Sequence, residues 1–115
     1  MLRIRQTQTD ALKEQVYLDF IKRLDAYLQS EVPEHRNIPQ DERYQLIDAL
    51  ITIAGSYGLE TEEHASIYVL SAWLCGFDFD ERNPDVATRL GNANYTADEK
   101  SEWLTAWLEG QAKPS

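Results

Sequence analysis

The feature that most constrains this chain is the segment from Thr61 to Asp80, TEEHASIYVLSAWLCGFDFD. It opens on a threonine that suits a helix N-cap, with Glu62 and Glu63 placed where a helix N-terminus favours negative charge. It then runs apolar on nearly every side through Trp73 and Leu74 and breaks at Gly76. A helix that is apolar all round is buried between other elements rather than laid on a surface. The segment therefore predicts a buried helix, third in chain order, followed by an aromatic and acidic loop.

The flanking sequence supplies helices to bury it. Leu12, Val16, Phe20, Leu24 and Leu28, with Tyr17, Ile21 and Tyr27 beside them, form one stripe on a first helix of about six turns. Thr7 and Asp10 resemble a capping box at its start, and Pro33 ends it near Glu31. A loop over residues 33–39 leads to Pro39 at the first turn of a second helix. That helix presents Tyr44, Ile47, Leu50, Ile51, Ala54 and Tyr57, with Leu46 and Ile53 widening the stripe; Gly55 permits close helix contact and Gly58 ends the helix. Asn83-Pro84 starts a short helix that stops at Gly91. Thr96 and Glu99 make a capping box for a last helix that carries Trp103, Leu104, Trp107 and Leu108 and closes at Gly110. The expected fold is all-α: a compact bundle of four main helices plus one short helix. At 115 residues it is expected to be one domain, with residues 1–6 as a lead-in and 111–115 as a frayed tail. Leu2-Arg3-Ile4-Arg5 alternates like a strand, and is read either as a lead-in or as a strand that adds to a partner's sheet edge.

Charge narrows the function. The net charge is −9. Residues 1–58 carry 7 Lys/Arg and 9 Asp/Glu, a net of −2, whereas residues 59–115 carry 4 and 11, a net of −7. Such an excess disfavours nucleic acid and anionic membranes, whose binding rests on Lys and Arg, and it suits solubility and basic protein partners. MLRIRQ is not followed by the apolar stretch of a secretory signal, and no run approaches a membrane span, so the expected location is the cytoplasm.

Catalytic and metal patterns are not expected. Asp78, Asp80 and Asp85 in DFDERNPD suggest a calcium loop, but Arg82, Asn83 and Arg89 stand at its fifth, sixth and twelfth positions, which need an acidic or amide residue, glycine and a bidentate glutamate. Two separated histidines, His35 and His64, and one cysteine do not make a zinc site. Cys75 lies among apolar neighbours, as a small buried hydrophobe does. No cofactor or metal is expected, and the chain is not expected to be an enzyme. Trp73, Trp103 and Trp107 have the spacing of core residues. Phe77 and Phe79, flanked by Asp78, Asp80 and Glu81, are read in two ways. The rings tuck under the helices with the carboxylates outward, or they form an aromatic anchor with an acidic rim, the anatomy of a binding hot spot. The candidate partner-binding residues are Phe77, Asp78, Phe79, Asp80 and Glu81, with Leu2, Arg3, Ile4 and Arg5 second.

Four motifs carry a resemblance. They are RIRQTQTDAL from Arg3, F-x-x-R-x-x-x-Y-L from Phe20 to Leu28, A-G-S-Y-G-L from Ala54 to Leu59, and G-F-D-F-D from Gly76 to Asp80. In this order they resemble a group of small, all-helical bacterial proteins encoded beside type VI secretion effectors and their spike components. The likeness covers about residues 1–80 and departs at Tyr27, at Leu59 and at Cys75-Gly76, where the group carries histidine, isoleucine and a Phe-Gly pair. The resemblance implies a non-enzymatic accessory protein that binds a secreted effector or spike component. It would act as an adaptor or chaperone for loading, or alternatively as an immunity protein that inhibits a toxin by binding it. A homodimer and, third, a small cytoplasmic enzyme are the other readings.

Overall fold

The computed structural model describes the backbone of residues 2–112 and the side chains of residues 13–34 and 36–111. It is all-α: the order is α1 (Leu2–Glu31), a 3₁₀ turn (Pro33–Asn37), α2 (Gln40–Ser56), α3 (Glu62–Cys75), α4 (Phe79–Arg82), α5 (Pro84–Leu90) and α6 (Ala97–Ala112). Four helices are long, and the described residues include no strand. The chain divides into two compact units, residues 1–44 and 45–115, with the boundary inside α2.

In the first unit α1 starts at Leu2, not near Thr7. Leu2, Arg3, Ile4 and Arg5 are helical in backbone, which corrects both the lead-in and the strand expectation; their side chains lie outside the described residues. The sequence offers a reason: residues 2–32 contain neither Gly nor Pro, and helix propagation past an established stripe is far cheaper than nucleation. Thr7 and Asp10 are thus helix-interior positions. The stripe holds over Phe20, Ile21, Leu24 and Leu28, all buried, whereas Val16 and Tyr27 are about half exposed. Pro33 does end the helix, but its residues continue as a 3₁₀ turn. One buried polar cluster ties this unit together. Arg43, in the first turn of α2, donates to both Asp25 carboxylate oxygens, from Nε at 2.8 Å and Nη2 at 3.2 Å, and from Nη1 to the Ile38 carbonyl at 2.6 Å. Gln29 donates to the same carboxylate at 2.8 Å.

In the second unit α2 buries Ile47, Leu50 and Ala54. It ends in a Schellman motif: Gly58 has φ +86, its N–H reaches the Gly55 carbonyl, and the Leu59 N–H reaches the Ala54 carbonyl. Leu59 itself is fully buried. Among the described residues, a Cβ placed at Gly55 would meet nothing within 4 Å, so none of them makes the close helix contact expected there. Thr61 caps α3 by accepting from the His64 N–H at 3.1 Å. Ala65, Tyr68, Val69, Ser71, Ala72 and Trp73 are buried, an arc of about 200° at 3.6 residues per turn. The third helix is therefore buried over most of its girth, with Leu74 at the centre of its open side. Thr96 and Glu99 form the reciprocal capping box of α6, at 3.1 and 3.0 Å. That helix continues through Gly110 to Ala112. Residues 113–115, most of the expected tail, lie outside the described residues.

Candidate functional site

The segment after α3 is organised by a glycine and an arginine. Gly76 has φ +110, a conformation that side chains with a Cβ rarely adopt. A Cβ there would also run into the Arg82 guanidinium. That guanidinium donates to the Cys75 carbonyl and, from Nε, to Asp78 Oδ1 at 2.8 Å. A cation thus sits on the exposed carbonyl end of α3, where the helix dipole favours it. The chain reverses tightly, and residues 79–82 form the one-turn helix α4 where a loop was expected.

This turn separates the five candidate residues into two sets. Phe79 is fully buried and Asp80 is 9 % exposed. Phe79 joins a row of rings from three helices and the loop after α2, with centroids 5.8 Å apart for Tyr57–Tyr68, 5.1 Å for Tyr68–Phe79 and 5.7 Å for Phe79–Trp107. Asp80 accepts the Tyr57 hydroxyl at 2.7 Å. Burial, then that hydrogen bond, pushes the Tyr57 phenol up to about 12. Burial and the Asp80 charge also hold Tyr68 far above the usual phenol range. Both Phe79 and Asp80 are thereby core residues, and their place among the partner-binding candidates is corrected. Phe77, Asp78 and Glu81 face solvent. Phe77 is 38 % exposed and stands edge-on to the buried Trp73 ring, with centroids 5.1 Å apart. Leu74, 46 % exposed, lies three residues before it and lines a shallow depression of about 170 Å³ with Cys75, Leu108 and Gln111. Burial pushes the Cys75 thiol up, against a smaller opposing pull from Arg82. A raised thiol is a poor nucleophile at neutral pH.

A second concavity lies where α5, the loop after it and α6 meet. Asp85, Thr88, Arg89, Asn92, Tyr95 and Trp103 line an open cleft of about 390 Å³. The Arg89 guanidinium lies 4.4 Å from the Tyr95 ring centroid and 5.3 Å from that of Trp103. Sequence reading missed this group. Trp103, expected in the core, is half-buried, and Asp85, which the sequence suggests only for calcium, lines the cleft. The available signal was Arg89 and Tyr95 on opposite sides of the Gly91 turn, a spacing that a helical wheel does not display.

Elsewhere, His64 Nε2 lies 2.7 Å from Asp98 Oδ1, linking α3 to α6. Lys100, 7 % exposed, donates to the Tyr57 carbonyl at 2.8 Å. The His35 side chain lies outside the described residues. Among the described residues no three His, Cys, Asp or Glu side chains come close enough to share a metal ion, and no helix is long and apolar enough to cross a membrane. Compared with protein-family models, with curated proteins and with solved structures, the chain matches none.

Proposed function

We propose that this chain is a non-enzymatic, cytoplasmic protein-binding module that engages its partner through the face formed by Leu74, Phe77, Asp78 and Glu81. The observation that carries the reading is the exposed Phe77 ring, backed by the buried Trp73 and bordered by exposed carboxylates. A rigidly supported aromatic with a charged rim is how interfaces concentrate binding energy. The net of −7 over residues 59–115 directs the face to a partner segment that pairs apolar residues with Lys or Arg. The resemblance to proteins encoded beside type VI secretion genes names that partner as a secreted effector, held by this chain as adaptor or chaperone for loading on the spike. The second reading is an immunity protein, favoured by the acidic excess, which would complement a basic nuclease-like toxin.

The test is an affinity capture of the tagged chain from its native cytosol, read by mass spectrometry and repeated with Phe77→Ala. A stoichiometric effector or spike protein retained by the parent chain supports the proposal when Phe77→Ala weakens capture by about 30-fold, the loss of a 2 kcal/mol hot spot. Toxicity of that partner when expressed alone selects immunity, and a harmless but unstable partner selects the adaptor. Recovery of the bait alone, as a homodimer, overturns the reading.

A further inference from the structure

The cleft between α5 and α6 holds two opposite charges that do not meet. Asp85 and Arg89 are four residues apart on α5, the spacing at which helices make ion pairs. Among the described residues neither side chain takes part in a hydrogen bond or ion pair. Arg89 is held instead by the Tyr95 and Trp103 rings, at 4.4 and 5.3 Å, which leaves its N–H donors open to the cleft. A guanidinium fixed in this way presents a planar fork suited to bidentate recognition of a carboxylate. Among the described residues, Asp85, one helical turn away, is the only other charged group on the cleft wall.

We infer that this cleft binds a small zwitterion, with its carboxylate in the Arg89 fork and its ammonium group facing Asp85. A simple anion meets the Asp85 carboxylate and the acidic field of residues 59–115; a simple cation meets Arg89. Only a ligand that carries both charges completes both partners. The volume of about 390 Å³ lies at the small end of ligand sites and suits a free amino acid or a dipeptide. Tyr95 and Trp103 supply an apolar wall for the ligand's stem, and Thr88 and Asn92 supply polar groups at the rim. The site shares no residue with the partner face proposed above.

The experiment is a titration of the full ¹⁵N-labelled chain, following the Trp103 indole N–H, assigned with Trp103→Phe. The probes are alanine, dialanine, acetate and methylammonium. Saturable shifts with alanine or dialanine, at affinities at least about tenfold above those of acetate and methylammonium, are expected. The tighter of the two zwitterions identifies the source. Arg89→Lys keeps the charge but loses the fork and weakens binding by about tenfold or more. Asp85→Asn lowers the zwitterion's affinity to that of acetate. Both variants should keep the parent's spectrum away from the cleft. No saturable shift up to about 100 mM, acetate binding as tightly as the tighter of the two zwitterions, or an Arg89→Lys titration like the parent's would each overturn the proposal.

Discussion

Replacing Arg43 with methionine isolates the buried ion pair of the first unit. Asp25 is 4 % exposed and its carboxylate has three described donors: Arg43 Nε, Arg43 Nη2 and Gln29 Nε2. The substitution keeps an apolar stem of similar length but removes two of the three donors and the compensating charge. It also leaves the Ile38 carbonyl without its 2.6 Å donor. Removing one partner of a buried pair costs about 3–5 kcal/mol, because the remaining charge is desolvated and uncompensated. Against a total stability of about 5–15 kcal/mol, this is a large fraction. With an m-value of about 2 kcal/mol/M, the urea midpoint followed by circular dichroism at 222 nm should fall by roughly 2 M. The double variant Asp25→Leu with Arg43→Met should recover most of the loss, since replacing both members with apolar groups removes the stranded charge. A loss below about 1 kcal/mol in Arg43→Met, or a double variant as unstable as the sum of the singles, would refute the argument.

Three further predictions test the second unit. Gly76→Ala should cost about 1–3 kcal/mol, since it imposes a Cβ at φ +110 and displaces Arg82; an unchanged urea midpoint would contradict this. Gly55→Ala should stabilise by up to about 1 kcal/mol, read as a higher melting temperature, because the site is helical and open. Tyr57 has a folded pKa raised from 10.0 to about 12, so its contribution is fully present below pH 10 and is lost as pH rises through 12. Tyr57→Phe should make the alkaline slope in that window shallower, leaving the part that Tyr68 contributes, and remove one late-titrating phenol from the absorbance at 295 nm. Persistence of the parent's alkaline slope would count against it.

What was legible in the sequence was whatever depends on local chemistry. Thr61, Gly58, Gly76, Pro84 and the Thr96–Glu99 pair punctuate the helices where their side chains or backbone freedom dictate. The all-apolar character of α3 likewise marks the helix that is buried over most of its girth. Positions whose fate is set by distant partners were not legible. Asp25 reads as one more surface acid on a charged helix; only the arrival of Arg43, 18 residues later, makes it a core residue. Asp80 is indistinguishable from Asp78 in sequence, yet Tyr57 draws one inward while Arg82 holds the other at the surface. The Arg89 cleft depends on the return of the chain after Gly91, which no helical periodicity records.

The Asp78–Asp80 contrast also bears on how the proposed partner face should be probed. Asp80→Lys places an ammonium group beside a buried hydroxyl in a site that is 9 % exposed, so loss of binding would report a damaged fold. Asp78→Lys with Glu81→Lys inverts only exposed charges, at the cost of an exposed Asp78–Arg82 pair worth about 0–1 kcal/mol. The two anchored residues order the backbone that carries the three exposed ones of the proposed face. Phe79 and Asp80 pin α4 from below and Arg82 pins it to the end of α3. Phe77, Asp78 and Glu81 therefore project from backbone that is already ordered, and a partner pays little entropy to engage them. The charge inversion should accordingly slow association and weaken its salt dependence without changing the unfolding free energy by more than about 1 kcal/mol. An association rate and salt slope equal to those of the parent would place the partner on another surface.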